Sequence, residues 1–153
     1  MNQWATTERL AARVIFAEGM TIEGELHLQP RVACHEGAET PEELLNRTEP
    51  FFPMTLAQGE IIFVSKAQVT AVSYLGPVEE TDPDRHSIAQ LIGLEVTMHG
   101  GTEYRGYAEC ELPPTRARAS DFLNTAEQFF SLASDSGVVC IHRAYVRVAR
   151  PLI

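Results

Sequence analysis

The sequence predicts a mainly β protein, a β-rich α+β fold, made of two tandem, pseudo-symmetric repeats that are small-barrel or sheet-like. The first observation is that one pattern occurs twice in the same order: segment 19–24 matches segment 101–106, and Lys66 later matches Arg143. The second is a polar and apolar alternation of period two, which is typical of half-buried strands. A pattern that recurs in this way indicates two supersecondary units of similar build. We expect about four to five antiparallel strands and one short helix in each repeat.

The same comparison predicts how the chain is divided. The first repeat is expected over residues 1–77 and the second over residues 88–153. Between them, residues 78–87 are polar and include Pro83, which favours an exposed connection.

The first two strands of each repeat surround a glycine turn. Residues 95–99 alternate cleanly between polar and apolar, and this copy resolves the more ambiguous segment 13–17. Gly19 and Gly101 are expected to form the turn, because only glycine adopts positive φ without steric cost. Four side chains are then predicted to face inward: Val14, Phe16, Val96 and Met98. A structural role is also predicted for the glycines of the second strand, Gly24 and Gly106. The solvated face of that strand is predicted to carry Glu25, His27, Tyr107, Glu109 and Glu111.

A short helix follows in each repeat. Thr40-Pro41-Glu42-Glu43 predicts a helix start with a capping box and proline at the first position. Asn46 is expected to end this helix in the left-handed conformation, and Asn124 is its equivalent. Prolines in the first copy exclude a longer helix, so a strand comes next in both copies. Its predicted buried residues are Phe52, Met54, Phe130 and Leu132.

The last part of each repeat is a long apolar strand. Ile61–Val64 and Val138–Ile141 are nearly continuous apolar runs, as expected of strands covered on both faces. Phe63 and Cys140 are therefore predicted to be buried. Each strand leads through a basic residue, Lys66 or Arg143, into a short final strand.

Charge and cysteine content narrow the function classes. The net charge is −9, and the halves carry 5 basic with 10 acidic and 7 basic with 11 acidic residues. Neither half is a basic module, which argues against binding to nucleic acid or to an anionic membrane surface. Three widely spaced cysteines without a C-x-x-C pair indicate reduced thiols and a cytoplasmic protein. No apolar run approaches the length of a membrane helix.

The sequence contains no recognised catalytic or cofactor motif, so we predict no catalytic residues and no cofactor. Cys140 and His142 share a strand face, but a buried Cys is usually a small hydrophobe, and we predict no metal. Lys66 and Arg143 are candidates for binding an anion or a partner carboxylate. The simpler interpretation is a turn cation paired with a neighbouring Glu. Tyr107 and Tyr145 are further candidates for binding a ligand or partner.

The order of elements in each repeat resembles the small barrels of Sm-like and SH3-like proteins. It consists of two strands around a glycine turn, a third strand, a long apolar strand, a basic turn and a brief final strand. Segment 118–124 is more closely similar to uncharacterised bacterial β-rich domains with an Arg-x-Ser-Asp-x-Leu-Asn helix, here as a tandem duplication. The first resemblance implies a small barrel and RNA binding, and the second implies no particular activity.

Three functions remain open at this point. The favoured one is a non-catalytic interaction or assembly module, acting as a homo-oligomer or with a protein partner through exposed strand edges. The alternative is an enzyme or small-ligand binder with a pocket between the repeats, where Tyr74, Tyr104, Tyr107 and Tyr145 gather. The third, an Sm-like nucleic-acid-binding protein, is disfavoured by the acidic charge.

Overall fold

The chain forms two compact units, Met1–Tyr74 (unit 1) and Leu75–Ile153 (unit 2). The structure is a computed structural model, and it describes residues 7–30, 38–76, 90–110, 119–125 and 127–152. The predicted connection, residues 78–87, lies outside the described residues.

The described residues of unit 1 form five antiparallel strands and one short α-helix. Its elements are β1 (Glu8–Phe16), β2 (Thr21–Leu28), α1 (Pro41–Leu45), β3 (Phe51–Thr55), β4 (Ile61–Ser65), a 3₁₀ turn (Lys66–Gln68) and β5 (Val69–Tyr74). The strand order is β5-β1-β2-β3-β4. Among the described strands of this unit, β4 and β5 are not paired with each other, so the sheet is open.

Unit 2 has the same succession of elements. They are β6 (Gln90–Met98), β7 (Glu103–Cys110), α2 (Ala119–Thr125), β8 (Phe129–Ser134), β9 (Gly137–His142), a 3₁₀ turn (Arg143–Tyr145) and β10 (Val146–Pro151). The strand order is β10-β6-β7-β8-β9, and this sheet is also open over its described strands. The predicted mainly β fold is confirmed, with sheets rather than closed barrels. Within the described residues, no helix is long and apolar enough to cross a membrane.

The register of strand pairing is the same in both units. Phe52 lies opposite Val64 in unit 1. Phe130 lies opposite Ile141 at the equivalent place in unit 2. The final turns also match, because Lys66 N donates to Pro50 O at 2.9 Å and Arg143 N donates to Gln128 O at 2.8 Å. The two units therefore share backbone hydrogen bonding as well as strand order.

Two pairs of glycines occupy equivalent positions in this framework. Gly19 and Gly101 have φ of 94° and 96°, in the region that favours glycine. Gly24 and Gly106 serve a different purpose, because a Cβ at either would lie 2.7 Å from a carbonyl oxygen of the neighbouring strand. The absence of a side chain lets these strands approach closely.

The buried side chains follow the predicted alternation. Unit 2 has a core contributed by β6, β7, β8 and β9, with Phe122 and Leu123 of α2 packed against it. Seven of the eight residues predicted to be inward or buried on the first and third strands are buried; Phe16 is only partly buried. The seven are Val14, Phe52, Met54, Val96, Met98, Phe130 and Leu132. Strand faces are therefore well predicted by period-two alternation.

The start of α1 is the predicted capping box. Thr40 Oγ1 accepts from Glu43 N at 3.2 Å, and Thr40 N donates to Glu43 Oε1 at 2.9 Å. The predicted left-handed helix end is wrong. Asn46 does cap α1, but with φ −91° and ψ 2°, and its N–H donates to Glu42 O. Asn124 lies inside α2, where the helix continues to Thr125.

Two predictions of burial are also wrong. Phe63 was expected inside, but it is 63% exposed, because β4 is an outer strand and only its other face is covered, at Val64. His27 was expected on the solvated face, but it is buried and hydrogen-bonded to Thr55. An apolar run does not reveal whether its strand is central, and a polar residue can be buried when a partner satisfies it.

Candidate functional site

Unit 1 contains a cleft of about 490 Å³ beside the outer strand β4. Its walls come from β2, the flanks of α1, β3, β4 and the 3₁₀ turn. It is lined by Thr7, His27, Gln29, Pro30, Leu44, Arg47, Glu49, Phe51, Phe52, Pro53, Phe63 and Lys66. Its volume is in the range of small-molecule sites, and it combines apolar walls with a few polar groups.

Lys66 is the buried cation of this cleft. It begins the 3₁₀ turn after β4 and is only 4% exposed. Its Nζ donates to the carbonyl oxygen of Arg47 at 2.9 Å. Burial is the main reason why the pKa of Lys66 lies below its ordinary value; Glu49 opposes this shift and Arg47 adds to it. The simpler interpretation, a turn cation paired with a neighbouring Glu, is not observed for Lys66, since none of the ion pairs among the described residues includes it.

A partly buried ion pair fixes the segment that carries this carbonyl. Glu39 precedes the cap of α1 and Arg47 follows its end, and their side chains form a two-point contact with Arg47 Nε at 2.6 Å from Glu39 Oε2. The Glu39 side chain is 3% exposed. Glu39 is also bonded through its backbone, with its N donating to Gln29 O at 2.8 Å. The Arg47 charge is therefore neutralised within the protein.

This ion pair is not predictable from a sequence pattern. Glu39 and Arg47 are separated by 8 positions, and no motif links them. They meet because a five-residue helix is short, with a rise of about 1.5 Å per residue, so its two flanks are close together. The only available signal was the strong cap at Thr40, which places Glu39 just outside the helix.

His27 contributes a neutral polar group to the same cleft. Its Nε2 lies 2.6 Å from Thr55 Oγ1 and its Nδ1 lies 3.5 Å from Thr7 Oγ1. Burial, followed by the nearby charge of Arg9, lowers the pKa of His27, while Glu25 acts in the opposite direction. A neutral imidazole donates from one ring nitrogen and accepts at the other, which suits two hydroxyl neighbours.

Aromatic side chains form the outer part of the cleft and continue onto the edge of the sheet. Phe51 on β3 is 54% exposed and Phe63 on β4 is 63% exposed. Ile61, on the same face of β4 as Phe63, is 39% exposed. Large apolar side chains grouped on an outer strand are unusual for a protein surface without a binding role.

The candidate residues of unit 2 differ in exposure and packing. Arg143 begins the second 3₁₀ turn, as Lys66 begins the first, but it is exposed. Tyr145 packs against the core of unit 2 and lies edge-on to His142, with ring centroids 5.1 Å apart. Tyr107 is 53% exposed on β7, on the face opposite the core residue Ala108.

The remaining described candidates of unit 2 are partly or fully buried. Tyr104 packs against the core of unit 2, and burial raises its pKa. Cys140 is buried, with its Sγ 3.5 Å from Ser131 Oγ, and His142 stacks on Phe129. Over the described residues, no group of three or more His, Cys, Asp and Glu side chains is placed to hold a metal ion. Glu111 lies outside the described residues.

The geometry of unit 1 is therefore suited to binding, with one buried ammonium, one neutral imidazole and an apolar rim. Comparison of the chain with protein-family models, with curated proteins and with solved structures gave no match.

Proposed function

We propose that the protein is a non-catalytic interaction and assembly module, in which β4 of one copy pairs with β10 of a second copy. The observation that carries this proposal is the exposed apolar edge formed by Ile61 and Phe63 on β4. Natural proteins usually protect outer strands with lysine, proline or bulges, since unpaired backbone groups recruit other strands. Apart from Ser65, all the side chains of β4 are apolar.

The partner strand is inferred from the exposure of the other strands that end each unit's strand order. Four of six residues of β5 and three of six residues of β9 are buried, whereas β10 is largely exposed and includes Val148 at 46% exposure. β10 also bears the exposed Arg147 and Arg150, while the exposed Glu60 comes just before β4. An antiparallel β4–β10 pair would bring opposite charges together at one end and apolar residues together in the middle.

Such a contact uses two different surfaces of the chain. A head-to-tail contact of this kind forms rings when its rotation closes and filaments when it does not. The assembly would then grow from one repeated interface, and each added copy would cover one β4 edge.

The same proposal includes an origin of the two units by duplication and a reducing compartment. The shared strand order, register and glycine positions support an origin of the units by duplication. Cys110 and Cys140 are buried and form no disulfide within the described residues, which fits a reducing compartment such as the cytoplasm.

The test is native mass spectrometry of the wild type and of Phe63→Lys at micromolar concentrations. A charge on an outer strand opposes pairing, so we expect oligomers of the wild type and monomers of the variant. The matched control is Tyr107→Lys, which charges an exposed aromatic position on the inner strand β7 and is expected to leave the oligomer intact. A monomeric wild type, or a Phe63→Lys protein that assembles like the wild type, would contradict the proposal.

A further inference from the structure

We infer that the cleft of unit 1 binds a small organic carboxylate with an aromatic or branched apolar body, and that Lys66 Nζ donates to its carboxylate. This site goes beyond the proposed assembly, because it requires no second copy of the chain. Three observations support it: the state of Lys66, the neutral balance around it, and the apolar walls of the cleft.

The ammonium of Lys66 has donor capacity that the described protein does not use. An ammonium group has three N–H donors. One is used by the carbonyl of Arg47, and the described ion pairs give Lys66 no carboxylate partner. Burying a cation with no carboxylate in ion-pair contact is costly, and burial lowers the pKa of Lys66, although Glu49 and Glu39 oppose this shift. An anion bound in the cleft would offset this cost by accepting a hydrogen bond from the Lys66 ammonium.

The surroundings favour a single negative charge. The guanidinium of Arg47 is already paired with Glu39 and adds no net charge to the cleft. Glu49 also lines the cleft and repels anions, so each additional negative charge on a ligand is disfavoured further. One cation therefore suits a carboxylate, whereas a dianionic phosphate would require more positive charge than these residues provide.

The walls of the cleft set the shape of the rest of the ligand. Leu44, Phe52 and Pro53 line it together with the aromatic rings of Phe51 and Phe63. A cleft of about 490 Å³ has room for a body of one ring with a short chain. His27 adds a neutral wall rather than a charge, since its ring nitrogens face Thr55 and Thr7.

The probe is 4-phenylbutyrate, titrated into the full chain and followed by isothermal titration calorimetry and by amide chemical shifts. The uncharged control compound is the corresponding amide, 4-phenylbutyramide. We expect saturable binding of the carboxylate with shifts around Lys66 and Arg47. Binding of the amide should be roughly tenfold weaker or more, since a hydrogen bond between charged partners is lost.

Two variants test whether carboxylate binding depends on Lys66. Lys66→Met removes the ammonium but keeps an unbranched side chain, and it should weaken carboxylate binding by roughly tenfold or more. Arg143→Met removes the equivalent but exposed cation of unit 2 and should leave binding unchanged. If Lys66→Met does not fold, the comparison of carboxylate and amide on the wild type decides the question.

A third probe distinguishes a free small carboxylate from the C-terminal carboxylate of a peptide. This probe is N-acetyl-Ala-Ala-Phe with a free carboxyl end. Stronger binding of this peptide than of 4-phenylbutyrate would identify a chain end as the ligand, and weaker binding would identify a free metabolite. The inference is overturned if neither carboxylate saturates, if the amide binds equally well, or if Lys66→Met binds like the wild type. Because Phe63→Lys tests assembly and Lys66→Met tests the cleft, failure of one proposal is distinguishable from failure of the other.

Discussion

Units 1 and 2 share their strand order and register, but equivalent side chains differ in exposure. Phe51 is 54% exposed, whereas Phe129 is 1% exposed. Phe63 is exposed where Cys140 is buried, and Lys66 is buried where Arg143 is exposed. The backbone of a unit therefore does not determine which of its side chains are covered. The difference places two exposed phenylalanines and the buried cation in unit 1.

The largest expected effect tests the shared backbone. Gly24→Ala and Gly106→Ala should each lower the free energy of unfolding by about 2 kcal/mol, because the new Cβ collides with a carbonyl oxygen and the strands must move apart. Urea denaturation measures both losses. The matched controls, Gly19→Ala and Gly101→Ala, have open space around the Cβ and only positive-φ strain, and should lose about 1 kcal/mol.

A strong difference in stability loss between the two variants of a pair would contradict the shared backbone of the two units. A Gly24→Ala protein that loses stability while Gly106→Ala does not would mean that the close strand approach is required in only one unit. Equal losses in both pairs would sharpen the comparison, since they would leave side-chain environment as the main difference between the units.

A smaller effect concerns His27, which is buried where its equivalent Glu109 is exposed. Its pKa is lower in the folded chain, so below about pH 6.5 the unfolded state takes up more protons. Stability should therefore fall as the pH drops through this region and level off below the folded pKa. Urea denaturation at several pH values measures the fall.

Two variants separate His27 from the other titrating groups. Part of the acid-induced loss should be absent from His27→Gln, because glutamine has no proton to gain. His99→Gln, which replaces an exposed histidine of unit 2, should keep the wild-type pH profile. If His27→Gln loses as much stability on acidification as the wild type, the buried imidazole is not the cause.

Much of the fold could be predicted because the sequence presents each signal twice. The alternation at 95–99 resolved β1, and the prolines of unit 1 showed that α2 stops before β8. The helix ends were less predictable, since an Asn after a helix is compatible with both right-handed and left-handed backbone. The structure shows the right-handed form at Asn46.

The cleft was much harder to predict than the strands. Lys66 was a candidate from its place in a repeated basic turn, but its burial depends on Arg47, which is 19 positions away. His27 was predicted on the wrong face of β2. Period-two alternation does not show that Thr55 and Thr7 provide hydrogen-bond partners for a buried imidazole. Such long-range contacts are set by the tertiary fold, which periodicity does not encode.

The most direct test of the proposed assembly is amide hydrogen exchange of the full chain at low and high protein concentration. We predict that backbone amides of β4 and β10 exchange more slowly at high concentration. The exchange rates of amides in the inner strands β1 and β7 should not change. This result would show that the two outer strands pair between copies. Equal exchange of β4 and β10 at both concentrations, in a sample that contains oligomers only at the higher one, would contradict it.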